Sequence, residues 1–340
     1  MLENLHIKNF KSIADESIDL GRINVFIGEN GSGKSNILEA LMMASLAETY
    51  GIIDADILYT NGVRVSKPSL MMSNFEGKEQ MGIIKIQLKY LEESTIYYDI
   101  EPLEALNIES EWERLTIIKE NQLKKALEYL KKNENSSKTH EQLSSEYIRE
   151  EEKSKGKMKS FLSNFIIYTL NTEALRGIPE FQKSRKGIYG ETLDKIIASL
   201  SESELEELKE HVYGKIEWLD DFFIDKKDEL KRKGYKMSNS QSLLYFKDKH
   251  MSEEGNNNLF SAENSNEGIL HLLFYLANII STKTSKLFAI DNIETGLNPR
   301  LCEHTMEEIC TLAKKHDKQI LITTHNPAIL DGLNLLDDEI

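Results

Sequence analysis

One glycine-rich stretch near the N-terminus constrains this chain more than any other part of it. Residues 28–35 are Gly-Glu-Asn-Gly-Ser-Gly-Lys-Ser and fit the G-x-x-x-x-G-K-S phosphate-binding pattern. A short apolar run, Ile23–Ile27, precedes the stretch, and apolar residues at helical spacing follow it. The pattern therefore predicts a strand, a turn and a helix in that order. Such a turn closes backbone N–H groups around phosphate oxygens at the positive end of a helix.

Two residues of this stretch have specific expected roles. Lys34 is expected to reach the β- and γ-phosphates of a nucleoside triphosphate, and the hydroxyl of Ser35 is expected to bind Mg²⁺. The predicted cofactors are ATP and Mg²⁺. The other residues expected to contact the nucleotide from this part of the chain are Lys11, Gly28, Asn30, Gly31, Ser32, Gly33 and Asn36.

Composition limits the class of protein. The chain has 340 residues, 40% of them apolar, which is enough for one large domain or two ordinary ones with a sizeable core. With 57 acidic and 42 basic residues, the formal net charge is −15. This charge argues against whole-surface attraction to nucleic acid and leaves only a local basic groove open, so any nucleic-acid contact is expected to be indirect.

Cysteine usage and apolar runs point to a cytoplasmic protein without a membrane partner. Cys302 and Cys310 are predicted on one helix about 12 Å apart, too far for a disulfide, which suits a reducing cytosol. The most apolar run, 268–280, spans 13 residues and is too short to cross a bilayer. No basic, apolar leader is visible at the N-terminus.

Alternation of apolar and polar residues predicts several strands. Residues 5–10 and 17–20 are expected to pair near the N-terminus, and residues 82–91 and 95–100 are expected to form an antiparallel hairpin. Composition changes after Glu101. Residues 112–132 are predicted to form an amphipathic helix, and the whole range 101–160 is predicted to form a charged helical hairpin. This hairpin is either solvated or serves as a docking surface or a short coiled-coil arm. A long coiled coil is not expected, because sustained heptads are missing.

The second half adds further elements. Phe165–Tyr168 and residues 242–246 have strand patterns, and Ser203–Glu206 matches a capping box at the start of a helix that ends near Tyr213. The predicted domains are a discontinuous head, 1–100 and 240–340, and a mostly helical insertion, 101–239.

A second group of chemically active residues lies near the C-terminus. Lys286–Asp291 is an apolar strand ending in an acid, which suits a carboxylate that holds Mg²⁺ opposite the phosphate loop. Another apolar strand, Gln319–Thr324, delivers His325, for which we expect a γ-phosphate-sensing role. Between the two ends of the chain, the polar turn Ser265–Gly268 precedes an apolar helix and predicts a second anion site.

The order of these motifs resembles the ABC-type ATPases of the SMC and RecF class. The chain looks most similar to the compact bacterial ATPases grouped with the overcoming-lysogenisation-defect family. The matching stretches are Asn9–Ser12, the phosphate loop, the turn 265–268 with its helix, Phe288–Arg300, Thr324–Pro327 and, less specifically, Tyr168–Gly190. Residues 101–160 are not covered by the resemblance.

The resemblance implies a fold and a way of working. The expected fold is an α/β P-loop NTPase head of ABC/SMC type, with a mixed sheet, an antiparallel β subdomain and a helical insertion. Two such heads would enclose two ATP molecules. Each ATP would lie on the phosphate loop of one head and against the turn formed by Ser265, Asn266, Glu267 and Gly268 of the other.

Two positions depart from the family pattern. The family usually has Ser where this chain has Asn266, whose amide can still donate to phosphate. The family usually has Glu directly after the magnesium Asp, and this chain has Asn292. A carboxylate can deprotonate the attacking water, whereas an amide can only orient it. Either Glu294, two residues further on, supplies the carboxylate, or the protein is a slow ATPase. The candidate catalytic residues are thus Asp291, Asn292, Glu294 and His325.

The leading functional expectation is an ATPase module whose ATP-dependent homodimerisation controls a partner. The resemblance implies a nuclease or toxin as that partner, in bacterial anti-phage defence, with segment 101–160 as the docking candidate. The alternatives are a DNA-repair ATPase of the SMC/RecF kind and an ATP-binding scaffold without hydrolysis. A transporter subunit is the weakest alternative, because the helical insertion is unusual for one.

Overall fold

Parallel and antiparallel strands form separate sheets in this protein. The computed structural model describes residues 1–76, 82–90, 95–115, 161–182, 186–237 and 239–334. A six-stranded antiparallel sheet has the order β2-β1-β5-β6-β7-β4. Its strands are β1 (Leu2–Phe10), β2 (Ile13–Asp19), β4 (Ile52–Ile53), β5 (Ile84–Tyr90), β6 (Thr95–Pro102) and β7 (Trp112–Leu115).

The strands that carry the predicted chemistry form a four-stranded parallel sheet of order β3-β13-β12-β8. They are β3 (Ile23–Ile27), β8 (Ile166–Tyr168), β12 (Leu287–Ile290) and β13 (Gln319–Thr324). Because the carboxyl ends of parallel strands meet at one edge, the sheet brings distant parts of the sequence together there. A small antiparallel sheet contains β9 (Leu219–Ile224), β10 (Leu244–Asp248) and β11 (Leu259–Ser261).

Helices cover the parallel sheet and fill the connections. The longer ones are α1 (Lys34–Tyr50), α6 (Glu202–Val212), α8 (Glu267–Ile280) and α9 (Pro299–Lys315). The shorter ones are α2 (Ala55–Thr60), α3 (Pro68–Met71), α4 (Thr172–Leu175), α5 (Leu193–Ser199), α7 (Glu229–Arg232) and α10 (Ala328–Asp331). Within the described ranges, no helix is long and apolar enough to cross a membrane.

The parallel sheet separates two hydrophobic cores, and β12 shows how. Phe288 and Ile290 pack into the core that contains α8 and α9, whereas Leu287 and Ala289 pack into the core shared with α1 and the antiparallel sheet. Successive side chains of a strand point to opposite faces. A strand that is buried on both faces therefore has the continuous apolar run seen in the sequence.

The structure confirms most of the predicted elements. The predicted α/β class is observed, β1 pairs with β2, and β5 and β6 form the predicted antiparallel hairpin. The strands β8, β10, β12 and β13 lie where apolar runs predicted strands. Cys302 and Cys310 both lie on α9 as free thiols.

Two local predictions were wrong. The predicted helix 112–132 begins instead with strand β7, which pairs with β6 and buries Trp112; an aromatic side chain favours a half-buried sheet surface. Its remaining residues, with the predicted charged hairpin, lie outside the described residues. The capping box of α6 is formed by Ser201 and Glu204, not Ser203, because Ser201 occupies the extended position just before the helix.

The predicted division into head and insertion stays a prediction. The structure shows that the range 161–239 supplies β8 to the parallel sheet and β9 to the small sheet, so this part of the predicted insertion is integrated with the head.

One buried side chain joins the two larger sheets. Gln319, at the start of β13, accepts a hydrogen bond from the backbone N–H of Leu2 at 2.9 Å. Its amide donates to the carbonyl oxygens of Leu2 and Gly21, both at 2.7 Å. Gln319 is 2% exposed, so these bonds fix the first strand against the last.

We predict that Gln319→Ala lowers the free energy of unfolding by about 2–4 kcal/mol, because it leaves buried backbone groups unpaired. Urea unfolding at neutral pH measures the change. Gln241→Ala is the matched control, since this side chain is exposed, and its effect should stay within about 0.5 kcal/mol. Equal effects of the two substitutions would contradict the assigned role of Gln319.

Candidate nucleotide-binding site

The glycine-rich loop has the predicted geometry between β3 and α1. Gly31 and Gly33 have φ angles of 85° and 97°, in the left-handed region that glycine adopts without strain. A Cβ atom on Gly33 would lie 2.7 Å from the hydroxyl oxygen of Ser12, so only glycine fits at this position. Gly28 and Gly33 are half-buried at the base of the loop, and Asn30, Gly31 and Ser32 form its exposed tip.

Lys34 is the first residue of α1, and its ammonium folds back over the loop. Nζ donates to the carbonyl oxygens of Gly28 at 2.6 Å and Glu29 at 2.8 Å. The positive charge thus lies over the turn whose backbone N–H groups would face phosphate oxygens.

Ser35 and Asp291 meet although 256 positions separate them in the sequence. The Ser35 hydroxyl donates to Oδ1 of Asp291 at 2.9 Å, and the hydroxyl of Thr323 donates to the same oxygen at 2.5 Å. Mg²⁺ prefers hard oxygen ligands and usually binds through one or two protein groups, with phosphates and water completing the shell. This hydroxyl–carboxylate pair beside the phosphate loop fits Mg²⁺.

Asn292 and Glu294 follow β12 but face different surroundings. Asn292 has a φ angle of 56°, a left-handed conformation that Asn tolerates better than most residues. Its backbone N–H donates to the hydroxyl of Thr323 at 2.9 Å.

Glu294 turns towards the end of β13 and binds His325. Its Oε1 lies 2.6 Å from His325 Nδ1 and 3.2 Å from the His325 backbone nitrogen, and its Oε2 accepts from the Thr324 hydroxyl at 2.7 Å. The Glu294 side chain is 9% exposed, whereas that of His325 is 52% exposed. The carboxylate therefore holds an imidazole whose other edge faces solvent.

A buried carboxylate that no sequence pattern indicated binds two cations near the phosphate loop. Glu39, on α1, is 3% exposed and forms ion pairs with Lys11 and with Arg64, the latter at 2.6 Å. Lys11 also donates to the Arg64 carbonyl at 2.8 Å, and burial lowers the pKa of its ammonium. The ammonium of Lys11, which was expected to contact the nucleotide, is thus bound to protein groups in this structure.

Arg64 brings an exposed cation towards the predicted metal position. Its Nη2 donates to the side chain of Asn36 at 2.9 Å. The pKa of its guanidinium is raised above the usual value, first by hydrogen bonding to Glu39 and further by the charges of Glu39 and Asp291. No local sequence pattern marks Arg64, which follows α2 in an irregular segment. Its contacts with Glu39 and Asn36 identify it.

The turn 265–268 does not join this cluster. Asn266 caps α8 by accepting a hydrogen bond from the Ile269 N–H at 3.1 Å, and Glu267 accepts from the Thr172 hydroxyl at 3.1 Å. The carbonyl of buried Ser265 accepts from Arg176 at 3.1 Å, and Gly268 lines a separate cleft. Within the described part of the chain, none of the recorded hydrogen bonds or ion pairs of these residues reaches the phosphate loop.

Comparisons with known proteins identify the family and the fold of the chain. Residues 1–330 match the family described as an AAA ATPase domain, and the chain belongs to that family. The fold is that of an SMC head: a solved SMC head bound to the C-winged helix domain of ScpA aligns with a TM-score of 0.52 and 13% identity, covering 97% of this chain and 91% of that chain.

Curated relatives match over short stretches. The DNA double-strand break repair Rad50 ATPase of Archaeoglobus fulgidus is 39% identical over 74 residues, which is 22% of this chain and 8% of that protein. The DNA replication and repair protein RecF of Francisella tularensis subsp. novicida is 29% identical over 120 residues, 32% of this chain and 34% of that protein. The chain therefore spans well under half the length of these relatives.

We predict that Glu39→Gln destabilises the protein by about 3–5 kcal/mol, because it leaves the buried ammonium of Lys11 without its carboxylate. It should also weaken ATP binding, since the Arg64 segment loses its anchor. Urea unfolding and equilibrium dialysis with ATP measure the two effects. Glu16→Gln, on the exposed face of β2, is the control and should leave both quantities unchanged. An unaltered stability of Glu39→Gln would refute the role given to this carboxylate.

Proposed function

We propose that this protein binds Mg·ATP on the glycine-rich loop, hydrolyses it slowly, and uses the bound nucleotide to hold two copies together. The observation that carries the proposal is the 2.9 Å hydrogen bond between Ser35 and Asp291. It joins the phosphate loop to the carboxylate that follows β12, as Mg·ATP binding requires. Membership of the AAA ATPase domain family supports the same conclusion.

The residues divide the work as follows. Backbone N–H groups of residues 31–35 and the ammonium of Lys34 bind the phosphates, and Arg64 adds positive charge from the opposite wall. Ser35 and Asp291 hold the metal ion, which when bound polarises the terminal phosphate. Asn292 orients water through its amide and cannot take a proton from it.

Glu294 acts through His325 and not directly on water. The carboxylate already accepts three hydrogen bonds, two of them from His325. A carboxylate can only accept, so Nδ1 of His325 carries a hydrogen and donates a hydrogen bond to Glu294, while the other edge of the imidazole faces solvent. Glu294 is thus a positioning residue, and His325 is the group that meets the γ-phosphate and its attacking water.

Dimerisation would explain why the turn 265–268 forms a helix N-terminus suited to an anion although it does not contact the phosphate loop of its own chain. Asn266 presents the N-terminus of the 14-residue helix α8 to an open cleft, and a helix N-terminus attracts anions. We infer that the phosphate meeting this turn belongs to a nucleotide on a second copy. A homodimer is the smallest assembly that satisfies both sites.

For the cellular role we favour genome maintenance. The matched relatives are a double-strand-break-repair ATPase and a replication and repair protein. Control of a nuclease or toxin in anti-phage defence rests on the sequence resemblance alone and stays a prediction.

Duplex DNA binding separates the two roles. A genome-maintenance ATPase should bind duplex DNA with ATP present, and its affinity should fall about tenfold or more between 50 and 200 mM salt. Absence of DNA binding, with a protein effector captured instead, would favour effector control.

The nucleotide site itself is tested with Lys34→Ala. Removal of the ammonium should abolish ATP binding measured by equilibrium dialysis, and with it ATP-dependent dimerisation measured by sedimentation, because both depend on the phosphate contact. Lys67→Ala changes a lysine outside the site and should leave both unchanged. ATP affinity that survives in Lys34→Ala would overturn the proposed function.

Catalytic roles are tested at positions 292 and 294. Glu294→Gln should lower steady-state turnover by about 10²-fold without changing ATP affinity, and adding it to His325→Ala should cost nothing further, because both act through one imidazole. Asn292→Glu should raise turnover by about 10²-fold or more, since it restores a general base.

Glu253→Gln, at an exposed position, is the matched control for the loss of a carboxylate. Additive effects of Glu294→Gln and His325→Ala would show that Glu294 acts on water by itself. If Asn292→Glu and the unmodified chain both bind ATP without releasing phosphate, the non-hydrolysing scaffold is the correct description.

A further inference from the structure

The helix α8 packs against the turn that carries Asn292 and Glu294. This turn, the β12–α9 turn, comprises residues 292–297 and lies between β12 and α9. Two backbone hydrogen bonds shape it: the Thr295 N–H donates to the carbonyl oxygen of Asn292, and the Leu297 N–H donates to that of Glu294, both at 3.0 Å. A neighbour that holds the backbone of this turn therefore also holds the side chains that the turn carries.

The first contact with α8 is made by His271, whose ring lies against the backbone of Gly296. His271 is completely buried. Gly296 has a φ angle of 74°, in the left-handed region that glycine adopts without strain. A Cβ atom at this position would lie 2.7 Å from Cε1 and 2.8 Å from Nδ1 of His271, far inside the roughly 3.5 Å at which non-bonded carbon atoms pack. Glycine is therefore the residue that lets the imidazole lie on the turn.

A hydrogen bond within α8 orients the His271 ring. Nδ1 lies 2.9 Å from the carbonyl oxygen of Glu267, four residues earlier in the helix. Because a carbonyl oxygen only accepts, Nδ1 carries a hydrogen and donates it. Burial lowers the pKa of the imidazole, which keeps the ring neutral near neutral pH. Within the described residues, Nε2 has no hydrogen-bond partner, so the ring meets the turn by packing.

The second contact is made by Tyr275, which follows His271 by one turn of α8. Its hydroxyl donates a long hydrogen bond to the carbonyl oxygen of Ile293 at 3.4 Å. Burial raises the pKa of the Tyr275 phenol, and the negative charge of Glu294 raises it further, which indicates that this carboxylate lies close to the hydroxyl. The helix thus holds the turn at Ile293 and at Gly296, on both sides of Glu294.

Glu294 leaves the turn between these two contacts and reaches His325, with Oε1 2.6 Å from Nδ1. The backbone of the turn sets the position of the carboxylate. Hydrogen bonds weaken steeply when their length and angle depart from the optimum. A shift of the turn relative to α8 would therefore loosen the His325 ring, whose side chain is half exposed.

We propose that His271 is a positioning residue for ATP hydrolysis. Its imidazole, packed on Gly296, holds the β12–α9 turn so that Glu294 keeps His325 oriented towards the γ-phosphate. The inference rests on the proposed function, because that function assigns His325 to the γ-phosphate. A misplacement of about 1 Å at a catalytic group can cost about 10²-fold in rate. The contact should therefore affect turnover and leave ATP affinity unchanged.

Paired substitutions test the contact between the ring and the glycine. His271→Ala and Gly296→Ala should each lower kcat about tenfold or more, with ATP binding by equilibrium dialysis unchanged. In the double variant, the methyl group at position 296 occupies space that the ring has vacated. Its kcat should therefore be about tenfold or more above the value that two independent effects predict. Independent effects of the two substitutions would overturn the proposal.

A milder pair of substitutions tests the same turn without opening a large cavity. Tyr275→Phe removes the hydrogen bond to Ile293 and should lower kcat about threefold. Tyr168→Phe is the matched control, because it also removes a buried hydroxyl that bonds to α8, in this case to Asn278 at 3.0 Å. It should leave kcat unchanged although urea unfolding shows lost stability. Equal losses of kcat in both variants would mean that turnover follows stability, and would contradict the positioning role.

A measurement without nucleotide separates this inference from the proposed function. In a nitrogen–proton NMR spectrum of histidine-labelled protein, the His325 side-chain signal is identified by its loss in His325→Ala. The signal should shift in His271→Ala and in Gly296→Ala, and return towards its unmodified position in the double variant. An unshifted signal in His271→Ala would overturn the inference. Failure of the proposed function looks different, because the unmodified chain itself would then show no Lys34-dependent ATP binding.

Discussion

The hydrogen bond between the Ser35 hydroxyl and the Asp291 carboxylate is the contact on which the site depends. The two residues come from opposite ends of the chain and meet because β3 and β12 flank β13 in one parallel sheet. Thr323, from that central strand, donates to the same carboxylate oxygen and keeps it in place. Any change that separates β3 from β12 would therefore divide the phosphate loop from the Asp291 carboxylate.

The connection between the two sheets protects this arrangement. Gln319 binds the backbone of the first strand and of the segment just before β3. Glu39, on the first helix, similarly connects distant segments through its ion pairs with Lys11 and Arg64. Both are buried polar side chains whose hydrogen-bonding groups are paired, and such groups favour one arrangement of the surrounding elements.

In the region after β12, Asn292 in place of the glutamate usual in similar ATPases changes which side chains could take part in catalysis. Because residue 292 is Asn, this position has no carboxylate that could take a proton from water. Its left-handed backbone suits Asn better than a larger side chain. Glu294 remains nearby, but its oxygens are bound by the end of β13. We therefore propose that catalytic capacity at this site depends on His325 and on the positive charges of Lys34 and Arg64.

The two surfaces for which we propose anion binding do not meet within one chain. The phosphate loop lies at the carboxyl edge of the parallel sheet, and the turn 265–268 lies at the start of α8 in a different cleft. In the proposed dimer, each surface alone would contact only part of a triphosphate. Two copies related by a twofold axis would supply the complementary surface to each other, which is how closed symmetric dimers generally form.

Local sequence determined much of this protein. The glycine spacing at 28–35 specified the phosphate loop, because only glycine satisfies its backbone angles, and continuous apolar runs specified β12 and β13, because both faces of these strands are buried. Tertiary contacts alone decided the rest: the pairing of Glu39 with Lys11 and Arg64, the capture of Glu294 by His325, and strand β7 at Trp112, where the sequence had suggested a helix. The reason is physical, since backbone angles and strand burial are encoded by near neighbours, whereas the partner of a charged side chain depends on segments that meet only when the chain has folded.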